Sequence, residues 1–251
     1  GDGTRERKSE WTQVLADVSQ VCCGRSHSLA LKTDGSVWVA GWNARGQLGD
    51  GTTTNRDTWT QVLTGVSQIS SGVISSFAIK PDGTLWTVGD NYGVSGDETD
   101  AYENTEWRKV MDNVIKICSD STHSLAIKAD NTLWVAGANN NGNFGNGTTE
   151  DISSWTQILT DVSDADMGGG HSIILKTDGT VWVAGRNSKG QLGNETIYGG
   201  TTSWTQVLTE VVQVSAGSQH SFAIKKDGTL MATGYNEQGQ LGIGTTTDVN
   251  S

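Results

Sequence analysis

A tryptophan opens a strand-like segment five times in this chain, at Trp11, Trp59, Trp107, Trp155 and Trp204, at intervals of 48, 48, 48 and 49 residues. Four of these segments read W-T-Q-V-L or W-T-Q-I-L, and the one at Trp107 reads W-R-K-V-M. A second series, Trp38, Trp86, Trp134, Trp182 and Met231, keeps the same intervals, as does a third, His27, Ser75, His123, His171 and His220. Three markers in one register define a repeat. A unit of this length is one supersecondary element that buries its apolar face only by stacking on its neighbours. The repeats run approximately over 16–63, 64–111, 112–159, 160–208 and 209–251, with 1–15 completing the last.

Within the first unit, Val18–Cys23 alternates as a strand and Gly24-Arg25-Ser26 turns the chain into a second strand at His27–Leu31. Asp34-Gly35 predicts a two-residue hairpin of type I′. Ser36–Ala40 then alternates so that Trp38 lies on one face, and a loop from Gly41 to Gly51 leads to a fourth strand at Trp59. The turn recurs at Asp82-Gly83, Asp130-Asn131, Asp178-Gly179 and Asp227-Gly228. Thirty-three glycines and one proline suit many tight turns between strands, since proline removes a ladder donor. No segment carries a helical period. The expected fold is all-β, a five-bladed propeller of four-stranded antiparallel blades forming a single domain over 1–251.

The two ends suggest how such a ring closes. Residues 1–11 match residues 49–59, and residues 242–251 match the start of the same stretch. Trp11–Leu15 is therefore expected to pair with the third strand of the last repeat, leaving no open ladder. Five consecutive blades of a larger ring are the alternative.

The run H-S-L-A-L-K-T-D-G-S-V-W-V-A-G-W-N-A-R-G-Q-L-G-D-G-T from His27 resembles the repeat of the regulator of chromosome condensation family, in the variety common in bacterial proteins. It recurs at His171–Gly193 and His220–Gly244 and more loosely at His123–Thr148. The second copy departs from it, with Ser75 in place of the histidine and N-Y-G-V-S-G-D from Asn91 in place of N-x-x-G-Q-L-G. The resemblance implies a propeller that acts mainly as a binding scaffold. The family usually has seven repeats. Its eukaryotic founding member acts as an exchange factor on a small GTPase and associates with chromatin, and no exchange-specific element is recognisable in this chain.

A formal net charge of −11 opposes binding to nucleic acid, which rests on clustered Lys and Arg, and to anionic membrane surfaces. Arg5, Arg7 and Lys8 form the one basic cluster and read as a solvated lead-in. No apolar run approaches the length of a membrane span. Cys22, Cys23 and Cys118 do not make a disulfide framework. Two triplets, Asn146-Gly147-Thr148 and Asn194-Glu195-Thr196, match glycosylation acceptors, a match frequent by chance in Thr-rich sequence. Independently of them, a secreted or surface location is expected in preference to the cytoplasm.

Residue types that suggest chemistry are absorbed by the repeat. Histidines at equivalent positions are spread among blades, whereas a metal needs its ligands around one point, so they read as residues that fix the turn between the first two strands. Asp34, Asp82, Asp130, Asp178 and Asp227 read as turn residues. Asn43, Asn91, Asn139, Asn187 and Asn236 read as loop-ordering residues, and Trp38, Trp86, Trp134 and Trp182 as packing between blades. The expectation is no catalytic set, no metal and no cofactor.

Function is expected where repeats disagree, on loop tips held by a fixed framework. The first–second and third–fourth strand loops should share one face. The position after the repeated glycine holds Trp42, Asp90, Ala138, Arg186 and Tyr235, and nearby positions hold Arg45 and Tyr92. Trp, Tyr and Arg are enriched at binding hot spots. Trp42, Arg45, Asp90, Tyr92, Arg186 and Tyr235 are therefore the candidate partner-binding residues of a non-enzymatic scaffold for a protein partner. A carbohydrate-binding propeller, with aromatics stacking on sugar, and a structural spacer domain of a larger surface protein are the alternatives.

Overall fold

In the computed structural model, the described residues are 1–90, 96, 104–120, 122–196 and 198–250. They fold entirely as strands and connections, with no helix among them. The chain divides into two compact units, Gly1–Ser124 and Leu125–Ser251.

Among the described residues, nineteen strands form five antiparallel sheets. The first sheet holds β1 (Val18–Cys23), β2 (His27–Lys32), β3 (Val37–Gly41) and β4 (Arg56–Leu63), in that order. The second holds β5 (Gln68–Ser71), β6 (Ser75–Ile79), β7 (Leu85–Gly89) and β8 (Arg108–Met111). The third holds β9 (Val114–Ser119), β10 (His123–Lys128), β11 (Leu133–Gly137) and β12 (Ile152–Leu159). The fourth holds β13 (Val162–Met167), β14 (His171–Lys176), β15 (Val181–Gly185) and β16 (Thr201–Leu208). The fifth has three strands, β17 (Val211–Ala216), β18 (His220–Lys225) and β19 (Leu230–Gly234). Every sheet is a meander of sequence neighbours, as the repeat requires.

The central strands are buried on both faces, so they read as near-continuous apolar runs such as H-S-L-A-L. In the first unit, Leu29, Leu31, Val37, Val39 and Leu48 pack with Val66, Ile69 and Ala78 of the next repeat. Trp86 and Trp107 lie partly buried against this cluster. In the second unit the matching cluster is Ile173, Leu175, Val181, Val183, Leu192, Val211, Val214 and Ala223, with Met231 partly buried against it. Each such aliphatic side chain contributes about 1.5–3 kcal/mol on burial, which is why one repeat needs its neighbour.

The hairpin turn differs from the expected type I′. Gly35 has φ +79°, but Thr33 and Asp34 do not enter the positive-φ region, and Gly35 N–H donates to the Lys32 carbonyl at 3.0 Å. This is a type I turn closed by a left-handed residue, a three-residue loop with a bulge. Asn131, at φ 63°, takes the glycine's place in the third repeat. The aspartate then organises the entry to β3. The Asp34 Oδ1 accepts from Ser36 N and Oγ at 2.9 and 2.6 Å, and Ser36 Oγ accepts from Trp38 Nε1 at 3.0 Å. Lys32 Nζ lies 4.8 Å from the centre of the Trp38 ring. The same chain of contacts recurs through Asp82, Asp130 and Asp178, whose hydroxyl partners are Thr84, Thr132 and Thr180. These hydroxyl hydrogen bonds hold all four carboxylates below the usual range. The repeated tryptophans are thus half-buried and polar-tethered at the indole, with Trp86 also packed between the first two repeats.

The fifth sheet differs from the expected four-stranded blade among the described residues. Residues 11–15 make no strand, Trp11 is fully exposed, and the fifth sheet keeps three strands. The N-terminus instead docks within its own unit. Asp2 bridges Thr58, and Gly3 N–H donates to the Asp57 carbonyl at 2.8 Å. In the fifth sheet, Val249 bridges Gly234 at one end of β19.

Candidate functional site

The loop face is built from the backbone outward. In four of the repeats, the residue after the repeated glycine donates its N–H to a carbonyl of the first–second loop. Trp42 reaches Ser26 O at 2.8 Å, Asp90 reaches Ile74 O at 3.1 Å, Arg186 reaches Gly170 O at 2.8 Å and Tyr235 reaches Gln219 O at 2.8 Å. The two loops of a repeat therefore lie side by side, as expected. Gly41 allows this approach. Its φ is +113°, and a Cβ there would stand 2.5 Å from Ser26 O.

The asparagine beside it holds the long loop from inside. Asn43 Nδ2 donates to Asp50 Oδ1, Thr52 O and Thr54 O at 3.0, 2.9 and 3.1 Å, and its Oδ1 accepts from Leu48 N at 2.9 Å. Asn139, Asn187 and Asn236 repeat the pattern, with Phe144, Leu192 and Leu241 N–H groups on their oxygens at 3.0 Å. All four are buried. Asn91 lies outside the described residues.

The loops are also joined to neighbouring sheets. His27 Nε2 lies 3.1 Å from Ser76 Oγ, which donates to the Gln47 carbonyl at 2.7 Å. In the second unit, His171 Nε2 lies 2.9 Å from Ser221 Oγ, which donates to the Gln191 carbonyl at 2.8 Å. His27 and His171 thus bridge repeats, a wider role than fixing their own turn. Burial pushes the His27 imidazole down to about 4, so the ring is neutral at pH 7. The serine partner is missed by the sequence reading although it carries a signal. Ser28, Ser76, Ser124, Ser172 and Ser221 come directly after the histidine position in all five repeats. Among the described residues no three His, Cys, Asp or Glu side chains converge as metal ligands.

On this framework the candidate residues divide. In the first unit, Trp42 is half-buried, while Asp90 is 2% exposed. Asp90 Oδ2 lies 3.6 Å from Arg45 Nε. Asp90 is therefore not a surface for a partner. A buried carboxylate needs a cation, and Arg45 supplies it from the preceding loop. Tyr92 lies outside the described residues. In the second unit, Arg186 is exposed and its Nε donates to Ser188 Oγ at 2.9 Å. Tyr235 is half-buried beneath Lys189, whose Nζ lies 4.8 Å from the ring centre. Lys189 also contacts Glu237 Oε1 at 2.7 Å and Asp248 Oδ2 at 3.4 Å, and the Glu237 bond foremost raises its pKa. Lys189 and Glu237 both sit at variable positions, but the distance of 48 residues between them hides the pair in the sequence.

The repeat geometry agrees with a direct comparison, in which a profile of the RCC1-like domain matches residues 2–251. The chain belongs to the RCC1-like domain family. Solved structures share its fold. Human WBSCR16 is 24% identical with a TM-score of 0.79, covering 93% of this chain and 65% of its own. Prp20p from Saccharomyces cerevisiae is 19% identical with a TM-score of 0.58, covering 94% of this chain and 76% of its own. The RCC1-like chain thus spans just under two thirds of the human protein. No curated protein sequence matches it. The five sheets are RCC1-like β-propeller blades.

Proposed function

We propose that this RCC1-like chain is a non-enzymatic protein-binding scaffold, its five sheets consecutive blades of one propeller domain. One observation carries the reading: a loop framework held by the same two asparagine contacts in four repeats, to the N–H five residues on and the carbonyl nine residues on, supports different side chains at its tips. Asn43, Asn187 and Asn236 hold equivalent loops from within, while Trp42, Arg186 and Tyr235 differ beside them. Trp and Tyr, with two rotatable side-chain bonds, lose little entropy when fixed on a rigid backbone, and arginine is enriched beside them at binding hot spots. Support from the family is of the same kind, since the structure of Prp20p was described with its binding to Gsp1p and histones. That chemistry concerns Prp20p. For the present chain a net charge of −11 favours a partner with a basic surface.

The test is quantitative capture with immobilised protein, comparing the parent with Trp42→Ala, Arg186→Ala and Tyr235→Ala. Specific proteins should be lost from the variants while each keeps its thermal midpoint. Capture unchanged in all three, or signal only on a glycan array, would overturn the reading.

A further inference from the structure

Two cations on the loop face each reach forward to the next repeat. Arg45 and Lys189 stand at the same place in their loops, two residues before the buried Gln47 and Gln191. The Oε1 atoms of these glutamines accept the Arg45 and Lys189 N–H groups at 3.1 and 2.9 Å. Each cation lies against the position after the repeated glycine of the following repeat, Arg45 on Asp90 and Lys189 on Tyr235. The two seats differ in depth. The Asp90 side chain is 0% exposed, and a carboxylate at that depth requires its cation. The Lys189 seat is open, with the side chains of Lys189, Asp248 and Glu237 30, 31 and 56% exposed. Tyr235 Oη donates to Glu237 Oε2 at 3.4 Å, which ties the ring to one carboxylate. Asp248 is held by its own loop, since its Oδ1 accepts from Asn236 N at 2.8 Å while Oδ2 faces the ammonium.

Around the Lys189 ammonium stand the Tyr235 ring centre at 4.8 Å, Glu237 Oε1 at 2.7 Å and Asp248 Oδ2 at 3.4 Å. An aromatic face with carboxylates beside it is chemistry that holds an ammonium, whichever chain carries it. All three walls belong to the fifth repeat, and the cation is borrowed from the fourth. We propose that Tyr235, Glu237 and Asp248 form a receptor for a lysine side chain of a basic protein partner, with Lys189 as the resident that the partner displaces. The inference rests on the protein-binding reading of this face and names the chemistry that the face recognises. Lysine is the occupant because an ammonium already fits the walls, and the net charge of −11 favours a basic partner. Exchange is open to it because exposed ion pairs are weak, and the incoming ammonium replaces the contacts that Lys189 gives up. Asp90 allows no such exchange, since a carboxylate without exposure is closed to a partner.

Fluorescence anisotropy of a labelled tetralysine peptide at physiological salt tests this, because removing the resident should strengthen binding. Lys189→Ala should bind the peptide more tightly than the parent by the reciprocal of the fraction of open seats. For an exposed ion pair reinforced by a ring contact that gain is at least ~5-fold. Lys226→Ala removes the same charge from the hairpin between β18 and β19, at the other end of those strands, and should bind as the parent does. Adding Tyr235→Ala or Glu237→Gln to Lys189→Ala should abolish the gain, and a tetra-acetyl-lysine peptide should show none. A Lys189→Ala protein that binds no tighter than the parent overturns the proposal. An equal gain in Lys226→Ala, or one that survives Tyr235→Ala, overturns it as well, since general charge attraction then explains the binding. Trp42 and Arg186 lie outside the seat, so proteins lost from Trp42→Ala and Arg186→Ala with no gain at Lys189→Ala overturn the receptor and leave the scaffold reading standing.

Discussion

Replacing Asn43 tests whether loop path is set from inside. Its amide shares two N–H donors among Asp50 Oδ1, Thr52 O and Thr54 O, and its oxygen accepts from Leu48 N–H. That is three bonds' worth of partners. At about 1 kcal/mol net per bond, Asn43→Ala should cost ~3 kcal/mol. Asn43→Asp separates the donors from the shape. It is isosteric and keeps the acceptor for Leu48, but it turns a carboxylate oxygen toward three other oxygens, one of them the carboxylate of Asp50. Leaving such a charge buried and unpaired costs roughly 3–5 kcal/mol, so at pH 7 this substitution should be at least as damaging as alanine. The folded state would hold that carboxyl's pKa above the unfolded value. The loss should therefore ease as pH falls, when the folded state takes up the proton first. Urea unfolding monitored by circular dichroism gives the global cost. Exchange of the Leu48 amide gives the local one, because repeats can open independently. An Asn43→Asp protein within ~0.5 kcal/mol of the parent at pH 7, with the Leu48 amide still protected, would refute the reasoning.

Two further outcomes are expected from buried groups. His27 is held at about 4 against an ordinary 6.5, chiefly by burial, so between these values the unfolded chain binds more protons. Stability should therefore drop as pH falls from 6.5 towards 4, by ~3 kcal/mol at most, and level off below. A His27→Gln protein should show a flatter profile by denaturant titration, and an unchanged slope would remove His27 as the cause. Burial pushes the Cys22 thiol up to about 11, and its Sγ lies 3.2 Å from Ile69 O, whereas Cys23 is exposed. At pH 8 the Cys22 thiolate fraction is roughly two orders of magnitude below that of an ordinary thiol. Mass spectrometry of the native protein treated with iodoacetamide should find Cys23 labelled well before Cys22, and equal labelling would contradict the burial.

The repeat and its strand order were legible because they depend on spacing. Tryptophan, histidine and Asp-Gly markers at one period specify four strands and their sequence neighbours without any knowledge of packing. Turn type was not, because Asp-Gly serves both a type I′ turn and a type I turn with a left-handed closing residue. Only the backbone bond from Gly35 to Lys32 tells them apart. Asp90 looked like a surface residue because its four repeat equivalents, Trp42, Ala138, Arg186 and Tyr235, all differ from it. Its burial depends on Arg45, contributed by a different repeat. Trp11–Leu15 is identical to two fourth strands but forms no strand itself, because sequence identity defines what a strand can pair with and not which edge it meets. Ser76 and Ser221 were missed for the opposite reason. A serine present in every repeat reads as filler until the histidine of the preceding repeat is seen to point at it.

The buried asparagines separate what shapes each loop from what the loop displays. Because its amide groups fasten main chain to main chain, the loop path is held by bonds that do not involve the side chain next door at positions 42, 186 and 235. Those neighbours are interchangeable fittings on a standard mount. A library randomised there should yield many specificities from a single architecture, with new recognition gained by swapping a few tips and leaving the mount intact.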